Sequence, residues 1–261
     1  MHESGGLWVR RFAGRPPPLV ALHGFSQTGA MFGEVAGLLG REVLAPDLPG
    51  HGRSAGTPVS FASAVSGVVE VLASVGGAVP LAGYSQGGRV ALAVALERPD
   101  LVSHLALVSA SAGIENEVER RERYRSDETL ASELRTEGIP SFLDRWLDQA
   151  IFERLQRRGT VWTAADRAAR LENSVEGLAA ALVGMGQGAQ PYLGGKLEAL
   201  QMPVLVIAGG LDHKYVSIAH AMSRALRFGT LYIIPEVGHS AIGEQPSVVA
   251  DLVAAFLTAT G

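Results

Sequence analysis

The sequence predicts an α/β protein with a mostly parallel central sheet, helices on both faces, and a helical insertion over one sheet edge. Three observations predict it. Short apolar runs rich in Leu, Val and Ile alternate with longer helical patterns, the signature of strands buried on both faces. That alternation stops between Ser111 and about Gly195, where no strand pattern is found. The chain is 261 residues long, a length α/β folds often reach as one domain.

The predicted strands are Pro18–Leu22, Glu42–Ala45, Val79–Gly83, Leu105–Ser109, Val204–Ala208 and Leu231–Ile234, with Leu7–Phe12 as an antiparallel edge. Helical patterns fall near 61–75, 87–98, 215–227 and 246–258. Pro246 reads as the first residue of the last helix, where its missing N–H costs nothing. Within the insertion, Glu115–Glu137 is densely charged and helical in character, and Phe142, Leu143, Trp146 and Leu147 follow at helical spacing. The expected organisation is a core of residues 1–111 and 196–261 with a lid of residues 112–195 over the strands' carboxyl ends, the edge where open α/β sheets bind ligands.

Composition excludes several classes of function. With 22 basic and 26 acidic residues the net charge is −4, and no basic stripe for nucleic acid is present. The absence of cysteine excludes disulfides, thiolate metal sites and a cysteine nucleophile. The first fourteen residues lack the apolar core of a signal peptide, and no apolar run reaches the ~20 residues of a membrane span. A soluble cytoplasmic protein is expected, monomeric or homo-oligomeric.

Chemistry enters with Gly83-Tyr84-Ser85-Gln86-Gly87, followed by Gly88, between a strand and a helical run. That is the context of a Gly-x-Ser-x-Gly nucleophile elbow, whose glycines let strand and helix approach closely around a strained serine. His23-Gly24-Phe25 ends an early strand, so the backbone amides of Phe25 and Gln86 are the expected oxyanion-hole donors. Asp212 then follows Val204–Ala208, and His239 follows Leu231–Ile234. The order Ser85, Asp212, His239 is that of an α/β-hydrolase fold triad, with His239 taking the Ser85 proton and Asp212 fixing its tautomer. His23 reads as structural, and His51, His104, His213 and His220 all precede the last strand. Asp47 is the rival acid, but it precedes the elbow.

Arg89 lies one helical turn beyond Ser85 and can share its face. It reads equally as a cation for a substrate carboxylate or as the partner of a lid carboxylate. Arg123, Arg125 and Arg170 are further candidates to face the site, and Trp146 with Phe152 reads as core.

Taken together, the chain resembles the 2-succinyl-6-hydroxy-2,4-cyclohexadiene-1-carboxylate synthase family, menaquinone-pathway lyases on the α/β-hydrolase fold. The resemblance runs from about Leu19 to Phe256. It is carried by His23-Gly24-Phe25, by Pro46-Asp47-Leu48-Pro49-Gly50-His51-Gly52 and by the elbow with Gly88-Arg89. In the insertion it is carried by Gly113-Ile114, by the run from Glu119 to Asp127, by Phe142-Leu143-Asp144-Arg145-Trp146 with Ile151-Phe152, and by Arg170 ahead of Asn173. Asp212-His213-Lys214 and Gly238-His239 complete it. The resemblance implies proton abstraction by the Ser85–His239 couple and elimination of pyruvate from a polycarboxylate substrate, with no cofactor. It implies that Arg89, Arg123 and Arg170, with Tyr84 and Trp146, hold the carboxylates and ring. Two positions depart from the family: Ile242 where a second histidine is common, and Phe32 where a tryptophan is common. The alternative is a carboxylesterase or C–C hydrolase working through an acyl-Ser85 intermediate, and a third reading is a ligand receptor on the same fold.

Overall fold

The computed structural model describes residues 2–259. Eight strands form one sheet: β1 (His2–Ser4), β2 (Leu7–Phe12), β3 (Arg15–Leu22), β4 (Arg41–Pro46), β5 (Val79–Tyr84), β6 (Val102–Val108), β7 (Val204–Gly209) and β8 (Gly229–Ile234). Their spatial order is β1-β2-β4-β3-β5-β6-β7-β8. From β4 through β8 all neighbours are parallel, while β1 and β2 run antiparallel. The expectation that Leu7–Phe12 forms the edge is corrected here: β1 pairs outside it, placing β2 second in the sheet.

Alternate side chains along each strand feed two cores. Val20 and Leu22 of β3 point to one side, where they meet α2 (Phe61–Ala73), α3 (Gln86–Glu97) and α7 (His213–Ala225). Leu19 and Ala21 point to the other, where they meet α1 (Gly33–Leu39) and α9 (Pro246–Ala259). α9 starts at Pro246 as expected, and α1 is an addition, too short and glycine-containing to show helical periodicity in the sequence.

Between β6 and β7 the described residues contain no strand. α4 (Glu117–Leu147) begins at the Asn116 cap, whose side chain accepts the amides of Val118 and Glu119, and breaks at Gly138 (φ 76°). A 3₁₀ segment (Ala150–Arg158), α5 (Thr160–Leu171) and α6 (Val175–Met185) follow. Ala131, Leu134, Phe142 and Leu143 of α4 pack on Leu178, Ala179 and Leu182 of α6, which gives the insertion its own apolar core. Among the described residues no helix is long and apolar enough to cross a membrane.

Candidate active site

β5 ends at Tyr84 and α3 starts at Gln86, so Ser85 is the whole connection. It is held at φ 50°, a left-handed conformation that costs a residue with a side chain on the order of 1–2 kcal/mol. Its N–H donates to the Val108 carbonyl (2.9 Å) and its carbonyl accepts the Arg89 N–H (3.1 Å), which fixes the turn. The glycines are needed for close approach. A Cβ on Gly87 would stand 2.3 Å from the Leu22 carbonyl oxygen, and one on Gly83 would stand 2.5 Å from that of Gly87.

β7 and β8 supply the remaining groups. The loops after them are stitched together, with Gly210 N–H on the Ile234 carbonyl (2.8 Å) and Leu211 N–H on the Val237 carbonyl (2.9 Å). Asp212 caps α7, its Oδ1 accepting the Tyr215 amide (3.2 Å), and its Oδ2 meets His239 Nδ1 at 2.7 Å. His239 Nε2 lies 3.0 Å from Ser85 Oγ. With Nδ1 donating to the carboxylate, Nε2 carries the lone pair and accepts the hydroxyl proton. Aromatic rings enclose the imidazole: Tyr215 at 4.5 Å, Tyr84 at 5.7 Å and Phe152 at 6.0 Å between centroids.

These groups open into a pocket of about 510 Å³. Its floor is the sheet edge and the start of α3, including Phe25, Tyr84, Ser85, Gln86 and Arg89. Its roof is the insertion, including Arg123, Trp146 and Arg170. The register Leu22↔Gly83 sets the Phe25 loop beside the elbow, so the Phe25 and Gln86 residues border one space. The expected triad and oxyanion-hole residues line this pocket, as do Tyr84, Arg89, Arg123, Trp146 and Arg170. Arg125 does not; it is exposed on α4.

The three arginines differ in kind. Arg89 is buried, and its Nη1 donates to the neutral Gln190 Oε1 at 3.3 Å. No ion pair among the described residues includes it, so the reading of Arg89 as the partner of a lid carboxylate is not what the structure holds. Burial pulls its pKa down to about 10, which leaves it a full cation at neutral pH. Arg123 is already paired, Nε to Asp127 Oδ1 at 2.8 Å, and Arg170 pairs with Asp166 at 2.7 Å while donating to Ser26 Oγ at 2.6 Å. Trp146 stacks on Phe142 (5.7 Å) and meets Phe25 edge-on (5.2 Å). Phe152 lies 6.0 Å from Trp146 and also borders the pocket, so the pair serves as both core and wall.

The competing groups have structural partners. Asp47 accepts the Gly29 and Arg53 amides. His23 Nε2 accepts the Leu48 amide (2.8 Å) and His51 Nε2 accepts the Ser26 amide (3.3 Å). His213 and His220 are exposed.

Sequence reasoning missed Tyr215, Gln187, Gln190 and Glu244. Gln187 donates to the Tyr215 hydroxyl (2.7 Å) while its Oε1 faces Arg123 (3.4 Å). Tyr215 carried a partial signal, since an aspartate cap draws the backbone amide of the third helical residue towards it and so ties that residue to Asp212. The glutamines carried none, because only the packing of the insertion on the core brings them in.

A serine, an imidazole and a carboxylate meeting at the carboxyl edge of such a sheet are what α/β hydrolases present. A family model described as the alpha/beta hydrolase family matches residues 19–252, and the chain belongs to that family. Within it the chain groups with proteins named 2-succinyl-6-hydroxy-2,4-cyclohexadiene-1-carboxylate synthase. The one from Salmonella heidelberg (strain SL476) is 34% identical over 258 residues, covering 96% of this chain and 98% of that protein. The solved structure of MenH from S. aureus superposes with a TM-score of 0.90 at 29% identity, covering 97% of this chain and 98% of that one. A thermophilic esterase from Thermogutta terrifontis, with malate bound, superposes with a TM-score of 0.84 at 26% identity, covering 97% and 93%.

Proposed function

We propose that this protein is a carbon–oxygen lyase of menaquinone biosynthesis. It eliminates pyruvate from 2-succinyl-5-enolpyruvyl-6-hydroxy-3-cyclohexene-1-carboxylate and leaves 2-succinyl-6-hydroxy-2,4-cyclohexadiene-1-carboxylate. The relatives' names support this reading, and one observation in the chain itself carries it. Arg89 is a buried guanidinium with no carboxylate partner among the described residues, one turn from Ser85 and bordering the same pocket. A buried unpaired cation is costly unless an anion arrives to meet it. A polycarboxylate supplies that anion and a neutral ester does not.

The chemistry follows from the triad. His239 accepts the Ser85 proton, and the Ser85 oxygen removes the ring proton beside the succinyl ketone. The freed electron pair forms one ring double bond, the existing one shifts, and the bond from ring carbon to enolpyruvyl oxygen breaks. The departing enolate takes a proton and becomes pyruvate, and the conjugated diene remains. Charge that builds on the ketone oxygen is met by the Phe25 and Gln86 amides, in the manner of an oxyanion hole. Arg89 binds one carboxylate bidentately, Arg123 and Arg170 contribute to the others, and Tyr84 and Trp146 flank the ring. The insertion of residues 112–195 acts as a lid that excludes water from the proton transfer. A cytoplasmic location suits a biosynthetic enzyme of this kind.

A second reading is favoured by the match to the Thermogutta terrifontis esterase: Ser85 attacks an acyl carbon and forms an acyl-enzyme. One substitution separates the two. Arg89→Met is expected to lower kcat/KM for the polycarboxylate by about one to two decades, the loss of a charged hydrogen bond worth roughly 1.5–3 kcal/mol. It is expected to leave hydrolysis of a short neutral ester within a few fold. Equal losses on both substrates, or loss of folding alone, would count against the proposed role.

A further inference from the structure

The relay from Ser85 to Asp212 leaves Glu244 without a part. Glu244 is buried at the end of α8 (Ala241–Glu244), five residues after His239. Its Oε2 accepts the Gly238 amide at 2.6 Å and its Oε1 accepts the Ser240 amide at 3.2 Å. Those amides stand on either side of His239. The His239 amide itself donates to the Ile151 carbonyl at 3.1 Å, so three consecutive backbone N–H groups are fixed, two of them by one carboxylate. The turn that returns the carboxylate is built by the Gly243 and Glu244 amides, both on the Ser240 carbonyl at 2.8 Å. Gly238 leaves room for it, since a Cβ there would stand 3.0 Å from Glu244 Oε1.

The charge matters as well as the reach. Burial holds the Glu244 carboxyl above its ordinary range, and the two amides, the His239 ring and Arg154 offset part of that rise. The imidazole is faced by Asp212 at the cap of α7, by Tyr215 within α7 and by Tyr84 of β5. Glu244 adds a second carboxylate near it, from a different direction of the backbone.

We propose that Glu244 is a positioning residue for His239: its carboxylate sets residues 238–240 so that the ring sits between Asp212 and Ser85, and its charge supports the imidazolium formed when His239 holds the Ser85 proton. The inference rests on the Ser85–His239–Asp212 relay, not on the identity of the substrate. Its test therefore uses a fluorophosphonate, which labels an activated serine without needing the pathway intermediate. Labelling rates are measured from about pH 5 to pH 9 for the unmodified protein, Glu244→Gln and Glu244→Asp. Glu244→Gln loses the charge and turns an NH₂ towards one of the amides. It is expected to slow labelling by about ten- to a hundredfold, the scale of a misplaced catalytic group, and to move the acid limb of the profile to lower pH. Glu244→Asp keeps the charge but is a methylene short, so it is expected to label slowly with the acid limb in place. Parent rates and a parent acid limb in folded Glu244→Gln would overturn the proposal. Should that variant not fold, parent-like labelling by Glu244→Asp would overturn it, as would Gly238 and Ser240 amides that exchange with solvent as fast as an open loop. An unmodified protein whose Ser85 does not label would remove the relay itself. Failure to turn over the polycarboxylate, with labelling intact, would remove only the lyase reading.

Discussion

Ser85 is the residue on which strain, hydrogen bonding and charge converge. A positive φ at a serine is uncommon, and here it is held by backbone bonds to Val108 and Arg89. The turn lifts Oγ off the strand end to meet His239 Nε2 at 3.0 Å. Ser85→Ala is expected to lower turnover by about four decades or more while leaving the thermal midpoint near that of the parent. The comparison needs only single-turnover rates and a melting curve. Activity within tenfold of the parent would mean that the proton leaves by another route. Arg89 shows the complementary case, a charge kept in a buried place by a glutamine that hydrogen-bonds it without neutralising it. The sequence placed Arg89 correctly on the serine's face of α3 through the four-residue spacing. It left open whether the partner was a carboxylate, because the answer lies with Gln190, 101 positions away.

Two structural units surround that centre, and each yields a prediction. Phe142 is buried between the α4–α6 core and the aromatic group of Phe25 and Trp146. Phe142→Ala is expected to cost about 3–5 kcal/mol. Hydrogen exchange should report the loss in α4 and α6 first, with β5 and β6 protected as before. Uniform loss of protection across the sheet would mean that insertion and core unfold as one. The loops carrying His23 and His51 respond to pH. Burial, with Arg170 nearby, lowers His23 to about 4, and burial, with His23 beside it, lowers His51 to about 3; in the fold each ring accepts a backbone amide at Nε2. A lowered folded-state value means that the stability they contribute is fully present above the ordinary value of 6.5 and is lost as pH falls towards 4. A tenfold difference in proton affinity between the folded and unfolded chain is worth about 1.4 kcal/mol. The thermal midpoint should therefore drop between pH 6.5 and about 5, above the range where ordinary carboxylates titrate. A midpoint flat across that window would contradict the assignment.

At the level of the whole molecule, the parallel sheet and its two helical faces were legible because buried strands carry continuous apolar runs and α9 carries Pro246 at its start. β1 was not, since three residues ahead of a glycine pair carry no periodicity. The serine, histidine and aspartate were readable because each follows a strand, and strand ends in this topology share one edge. Trp146 was brought to the site only through the family resemblance, and Arg123 was one of three arginines of the insertion that the residues alone left as candidates to face it. Their spacing gives a helix face, whereas their position over the site depends on how α4 crosses the sheet. Glu244 escaped because its role depends on a turn that folds back on itself within seven residues.

The measurement that bears most directly on the proposed function is ultraviolet spectroscopy of the purified protein. The pathway intermediate is generated in situ, and diene absorbance and released pyruvate are followed together. Both are expected to appear in equal amounts, rapidly, and only when Ser85 is intact. Neither product appearing, while short esters are cleaved and an acyl group is trapped on Ser85, would contradict the lyase reading and make the chain a serine hydrolase.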